Sequence, residues 1–421
     1  MNGRPSFVEA LKLWLRIGFI SFGGPAGQIA ILHREVVEQR RWIDERRFTS
    51  GLSFCTFLPG PEAQQLATYI GWSLHGYRGG LAAGILFFLP AVVLLLVLSF
   101  MRAEYGTLPV VAAVLWGLRA TIVAILCDAV LGMSKKRSGS RGGAMLAIAA
   151  FIMSFFLRAP FPFIVLGAAL IGLIVPGLAA SSTAETSAAG MPASRPSLDF
   201  ARLAAVVGCG LLFWFLPWLL LIPAGETAAL FRTQYVFFTQ SALVTFGGAY
   251  AVLSYVTQAA VDQFHWLSRA EVIDGLALAE TTPGPLIIVL QYVGFLAAWN
   301  DPHGLPRGLA GTIGGLLTSY ATFLPSLVLV LAGAPFVERV TALPRIGGGL
   351  SAIGAAVTGV IASLGLDYLV AVVFPAGPRH GIDTAALLLV LALFVALRRK
   401  VGLGPVLLAG ALAGLLQPFL F

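Results

Sequence analysis

The chain has 421 residues, of which 58% are hydrophobic and 11% charged, with a mean hydropathy of +0.89. A soluble domain carries about 25% charged residues, so the composition excludes one and points to an all-α polytopic membrane protein. The formal net charge of +8 is carried by lysines and arginines set between apolar runs. That placement excludes the basic, solvated face of a nucleic-acid binder and reads as topology information.

In chain order, residues 7–21 are apolar, with Lys12 and Arg16 set among them. No signal-peptide cleavage site is evident there. The run meets a break at Ser21-Phe22-Gly23-Gly24-Pro25, resumes over 27–39, and passes through the charged segment 40–47. A second break, Leu58-Pro59-Gly60-Pro61, is followed by Glu62-Ala63-Gln64-Gln65. Proline and glycine interrupt helices, and irregular backbone at membrane depth survives only where protein buries it or a wet cavity receives it. Two neighbouring breaks therefore mark a site. Helices restarting at Pro25 and Pro61 are expected to aim free backbone N–H groups into it, and a helix N-terminus attracts anions. Apolar runs at 81–101, 108–133, 144–157 and 161–178 follow.

The pattern then repeats. Phe22-Gly23-Gly24 recurs as Phe246-Gly247-Gly248, Trp42 as Trp266, and Pro59-Gly60-Pro61 as Pro283-Gly284-Pro285, each 224 positions on. Phe88-Leu89-Pro90 recurs as Phe323-Leu324-Pro325, 235 on. The sequence thus divides into an N-terminal repeat (1–179), a Ser/Ala/Thr-rich flexible linker (180–200), a linking transmembrane helix (201–224) and a C-terminal repeat (225–421). Two homologous halves are the usual build of a secondary transporter, with its site at the repeat interface.

Loop charges orient the halves. Residues 34–47 hold five arginines, whereas their counterpart 258–271 holds only Arg269; further along, Arg158 faces the richer Arg398-Arg399-Lys400. Positive loops face the cytoplasm, so the halves are expected in inverted topology, with each FGG and PGP segment a broken, re-entrant hairpin. The N-terminus is then cytoplasmic and the C-terminus outside.

Several side chains are candidates for the site, each with a plainer role beside it. Gly23, Gly24, Gly60, Gly247, Gly248 and Gly284 are expected to lend backbone donors to an oxyanion; otherwise they are packing glycines. Glu62, and Glu280 just before the second PGP, are candidates for a proton-linked gate, although an acid in a first turn also merely stabilises a helix. Gln28, Gln64, Gln65 and Gln291 can donate, with Gln65 favoured. Arg119 sits mid-run, too deep to snorkel easily, and such a cation faces a cavity or a partner. Asp128, nine positions on, is on the wrong face to pair with it. Asp128 and Asp367 occupy comparable places in the two halves and are either partners of cations or plain helix-end residues. The charged segment 34–47 reads as a solvated face, and Trp42 and Trp266 as interface anchors. Cys55, Cys127 and Cys209 form no CxxC, and the five histidines form no HExxH, so neither a metal nor a cofactor is expected, and no catalytic residue.

On the FGG and PGP motifs, twice over and in register, the chain resembles the chromate ion transporter family, whose long members carry two such halves. The resemblance covers nearly the whole chain except the linker. It implies a multi-pass protein of the bacterial inner membrane that exports chromate and confers chromate resistance, with sulfate as the natural competitor. A sulfate or other oxyanion carrier, including one working in uptake, is the alternative, and an intramembrane enzyme a remote one. A homodimer is left open. The second half departs from the first in carrying Leu286-Ile287-Ile288-Val289 where the first has Glu-Ala-Gln-Gln. The first half is therefore expected to supply more of the polar site.

Overall fold

In the computed structural model the residues described are 5–137, 141–175, 200–221, 225–246, 249–337, 344–375, 377, 379 and 381–420. Among them the regular structure is helical throughout. The expected linker at 180–200 lies outside the described residues apart from its last position.

The first half holds α1 (Phe7–Ile20), α2 (Gly24–His33), α3 (Glu45–Phe57), α4 (Glu62–Tyr105), α5 (Pro109–Arg137), α6 (Arg141–Phe155) and α7 (Phe161–Ile174). After α8 (Phe200–Leu221), the second half repeats the series as α9 (Ala229–Leu243), α10 (Ala249–Gln258), α11 (Arg269–Glu280), α12 (Val289–Asn300), α13 (Arg307–Gly333), α14 (Pro344–Val373), α15 (Thr384–Arg398) and α16 (Leu403–Leu420). Among the described residues five helices are long and apolar enough to cross a membrane. By contrast α1 and α3 have 14 and 13 residues, well short of the ~20 needed to span.

The repeat is preserved in backbone detail that no motif search would use. α2 and α10 both widen into a π-helical turn, Arg34–Gln39 and Ala259–Gln263. Each turn ends in the same way. Trp42 and Ile43 donate to the Val36 carbonyl at 2.8 and 3.4 Å, and Trp266 and Leu267 donate to Ala260 at the same distances. Arg41 and His265 share a φ of +53°. The next helix starts on a side-chain cap in both halves, Asp44 for α3 and Ser268 for α11, which satisfies one of the orphan N–H groups of a first turn.

By proximity the chain forms two compact units, and neither is a sequence half. One comprises Met1–Leu96, Ala184–Val252 and Thr282–Pro344; the other comprises Val97–Thr183, Leu253–Thr281 and Arg345–Phe421. In the first unit the short helices fold back on one another. Arg16 of α1 reaches Glu35 at the end of α2, and the His33 and Phe48 rings meet edge-on across α2 and α3. α4 itself is a hairpin: His75 and Gly76 leave helical geometry, and a Cβ on Gly71 would stand 2.4 Å from the Gly79 carbonyl oxygen. Small residues permit such close backbone approach, which is what packs helices where no hydrophobic force separates protein from lipid. Trp14, Leu32, Phe54, Leu66 and Phe87 fill the shared core. The two FLP phenylalanines, Phe88 and Phe323, stack face to face at 4.1 Å.

The second unit exchanges parts between halves. α5 packs on α16, where Gly117 and Gly410 approach backbone to backbone, and α14 packs on α6 and α7 through Gly359 and Gly172. Asp128 pairs with Arg398 at 3.2 Å, and Asp367 with Arg158 at 3.6 Å and Arg269 at 3.8 Å. Both aspartates thus meet cations.

Candidate functional site

Within the first unit the two PGP corners dock on the two breaks of the opposite repeats. The Gly60 N–H donates to the Thr245 carbonyl at 2.8 Å, and the Gly284 N–H donates to the Ser21 carbonyl at 2.8 Å. Ser21 and Thr245 are themselves equivalent, 224 apart, both buried, and each turns its hydroxyl back onto its own helix, at Ile17 and Ser241. The two contacts are thus reciprocal between the copies. Both glycines have φ that a side chain would strain, +129° at Gly60 and +103° at Gly284.

These bonds correct one expectation. The Gly60 and Gly284 amides are occupied by backbone carbonyls, so they are not free donors in this conformation. The unoccupied amides lie one step on. The backbone N–H groups of Glu62, Ala63 and Gln64, the first turn of α4, make no hydrogen bond among the described residues, although Ala63 and Gln64 are buried. The first N–H groups of any helix lack an intrahelical partner; here protein does not supply one.

The side chains around the first corner are polar. Gln65 is fully buried; its Nε2 donates to the Pro59 carbonyl at 2.8 Å, while its Oε1 is buried without a partner. Because the Pro59 carbonyl can only accept, the amide orientation is fixed. Ser326 Oγ donates to Gln64 Oε1 at 2.9 Å. Glu62 is half-buried and makes no hydrogen bond or ion pair among the described residues. Gln28 reaches across to the second corner and donates to the Gly284 carbonyl. Gln291 is used internally, donating to Val92 and accepting from Ser319. Gly23 and Gly24 sit at the first break with φ of +94° and +69°. Gly247 and Gly248 lie outside the described residues.

Arg119 and Glu280 belong to the second unit. Glu280 is buried, 5% exposed. Arg119 grips Asp274 of α11, with Nε to Oδ1 at 2.5 Å and Nη2 to Oδ2 at 2.9 Å, and Arg102 Nε donates to the same carboxylate at 2.8 Å. Sequence reasoning missed both partners. The available signal was the rarity of an acid within the apolar stretch 272–279.

The charged segment 34–47 also needs correction. Glu35 is buried, 1% exposed, between Arg40 and Arg16, so it is not a solvated residue. Among the described residues no cluster of three or more His, Cys, Asp or Glu side chains is placed to hold a metal ion.

A family model described as a chromate transporter matches residues 8–173 and 232–415. A chromate transport protein of Pseudomonas aeruginosa is 29% identical over 97% of this chain and 92% of its own length. A chromate transport protein of Cupriavidus metallidurans is 26% identical, covering 84% of this chain and 80% of its own. An uncharacterised transporter of Methanocaldococcus jannaschii is 26% identical, with coverages of 80% and 78%. No solved structure matches.

Proposed function

The chain belongs to the chromate transporter family, and we propose that it exports chromate from the bacterial cytoplasm across the inner membrane and so confers chromate resistance. The observation that carries this reading is the meeting of the two glycine-proline corners with the opposite breaks, through Gly60 with Thr245 and Gly284 with Ser21. It supports a reading in which interrupted helices from both repeats surround one site, the arrangement in which carriers hold a small ion. The proposed donors are the first-turn amides of α4 and Gln65, together with the backbone at Gly23 and Gly24 of the first break. Gly247 and Gly248, which lie outside the described residues, and Gly284 complete the proposed set by their place in the motifs. Glu62 and Glu280 exchange a proton with the transport cycle. Arg119 supplies positive charge. The chain acts as a carrier and not as an enzyme.

Direction follows from charge. With the interior negative, one charge crossing 100 mV is worth about 2.3 kcal/mol, so a departing dianion gains about 4.6 kcal/mol. Export then needs no driving ion, whereas uptake would. The proposed topology is inverted, with the re-entrant pairs α1–α2 and α3–α4 entering from one side and their copies from the other. Labelling Arg141 and Arg379 from opposite faces of the membrane supports inversion; labelling both from one face rules it out.

The deciding experiment is chromate flux in proteoliposomes, with pH and voltage set independently and sulfate as competitor. Outward flux that rises with an interior-negative potential supports the reading. Sulfate flux without chromate flux replaces it with a sulfate carrier, and the absence of any anion flux overturns it.

A further inference from the structure

The protons of the first corner can be followed one by one. Thr68 Oγ1 gives its proton to the Gln64 carbonyl at 2.9 Å, so it can only accept from Gln64 Nε2, at 3.3 Å. Gln64 Oε1 is thereby left to accept, and it takes the proton of Ser326 Oγ at 2.9 Å. Thr245, docked on Gly60, gives its hydroxyl proton to the Ser241 carbonyl. Every hydroxyl proton in this network is committed.

Gln65 stands beside the network. Its amide folds back over the start of α4, with Nε2 donating to the Pro59 carbonyl at 2.8 Å. A Cβ on Gly60 would lie 2.7 Å from that nitrogen and 3.0 Å from Ser326 Oγ. Gln65 Oε1 is then an acceptor, fully buried and without a partner, and neither Ser326 nor Thr245 has a proton left for it. A buried acceptor that meets no donor bears the whole cost of its desolvation. The corner thus offers two kinds of group. The N–H groups of Glu62, Ala63 and Gln64 and the second proton of Gln65 Nε2 donate, and Gln65 Oε1 accepts. A fully ionised tetrahedral dianion has acceptors alone: it would turn a lone pair toward Oε1 and bring two charges beside Glu62. An oxyanion that keeps one proton has oxygens to accept and one hydroxyl to donate, which complements this set.

We infer that the first corner takes the oxyanion in its singly protonated form, hydrogen chromate, with Gln65 Oε1 accepting the substrate hydroxyl and the first-turn amides of α4 donating to its other oxygens. The inference rests on the transport reading above and assigns the protonation state of its substrate. A site that bonds a substrate hydroxyl strongly rejects an analogue lacking it, because its own polar groups are left unpaired; sulfate, doubly charged at neutral pH, is such an analogue. The hydrogen oxyanion still carries one negative charge, so an interior-negative potential still drives it outward. Two titratable groups stand near: Glu62 on α4 itself, and Cys55 of α3 within reach of its charge. Ser326 of α13 and Thr245 of the second break do not titrate.

The test is initial-rate chromate flux by the purified full chain in proteoliposomes, with equal pH on both faces, the voltage held fixed, and KM and the maximal rate determined at each pH. KM in total chromate is expected to fall as pH is lowered, in proportion to the protonated fraction of the anion. Sulfate is expected to inhibit weakly and to the same degree at every pH. Gln65→Leu, which removes the acceptor, raises KM by roughly tenfold and flattens its dependence on pH. Glu62→Gln keeps that dependence, its effect falling on the maximal rate. A wild-type KM in total chromate that does not fall with pH means that the dianion binds, and it overturns the inference without any variant having to fold. Sulfate inhibition that strengthens in step with chromate binding puts the proton on the protein and overturns it too. So does a pH dependence of KM that survives undiminished in Gln65→Leu, or one that disappears in Glu62→Gln. Absence of chromate flux from the wild-type chain is a different outcome, and it sinks the transport reading itself.

Discussion

The Gly60 and Gly284 corners have the same backbone and different surroundings. Each donates its amide to the opposite repeat at 2.8 Å, and each keeps a φ that only glycine accepts without strain. A Cβ placed on Gly60 would meet Gln65 Nε2 at 2.7 Å and Ser326 Oγ at 3.0 Å; one placed on Gly284 would meet the Ala91 methyl at 2.8 Å. Ser326 and Ala91 are themselves repeat equivalents, 235 apart. After the first corner come Glu62, Gln64 and Gln65, and after the second come the buried Leu286, Ile287 and Ile288. Duplication has kept the scaffold of both corners and the polar chemistry of one. On the transport reading proposed above, the first corner is the one assigned to the anion.

The sharpest way to break this contrast is Gly60→Val. The strained backbone costs about 1–3 kcal/mol, and the new side chain displaces both Gln65 and Ser326. Chromate resistance is expected to vanish while the protein still reaches the membrane; full resistance would mean that the corner does not approach the anion closely. Next in size is Gln65→Leu, which removes a fully buried amide. A rise in KM of roughly tenfold is expected; an unchanged KM with lower stability would make Gln65 a strut for the Pro59 carbonyl and nothing more. Ser326→Ala gives the first corner the methyl of the second and should raise KM by about threefold, one neutral hydrogen bond. The reverse swap, Ala91→Ser, should change KM by less than about twofold. If Ala91→Ser perturbs flux more than Ser326→Ala, the assignment of polar and apolar corners is the wrong way round. Glu62→Gln tests the gate separately: a variant that keeps both the rate and its dependence on pH removes Glu62 from proton exchange.

Much of the architecture was legible because its signals are local. Glycine and proline declare a break wherever they fall in an apolar run, and the constant offset of Trp42 and Trp266, and of the two PGP motifs, carries the duplication. The same logic matched the places of Asp128 and Asp367, and the structure then chose cation pairing over a plain helix-end role for both. It failed for Glu35, placed with the solvated charges because its neighbours are charged, although the fold buries it against Arg40. It also assigned the free donors to Gly60 and Gly284, since nothing local reveals that Thr245 and Ser21 already hold those amides.

By itself, then, the sequence determined an all-helical membrane protein, its duplication, the breaks at the first FGG and at both PGP motifs, and the family. All of these follow from composition, periodicity and short motifs, which act over a few residues. Tertiary structure alone decided that the corners cross-dock between repeats, that the amides left over are those of Glu62, Ala63 and Gln64, and that Arg119 answers to Asp274. That last pair lies 155 residues apart in the chain. A charge on one helix states that it needs a partner, and only the packing of helices states which one it gets.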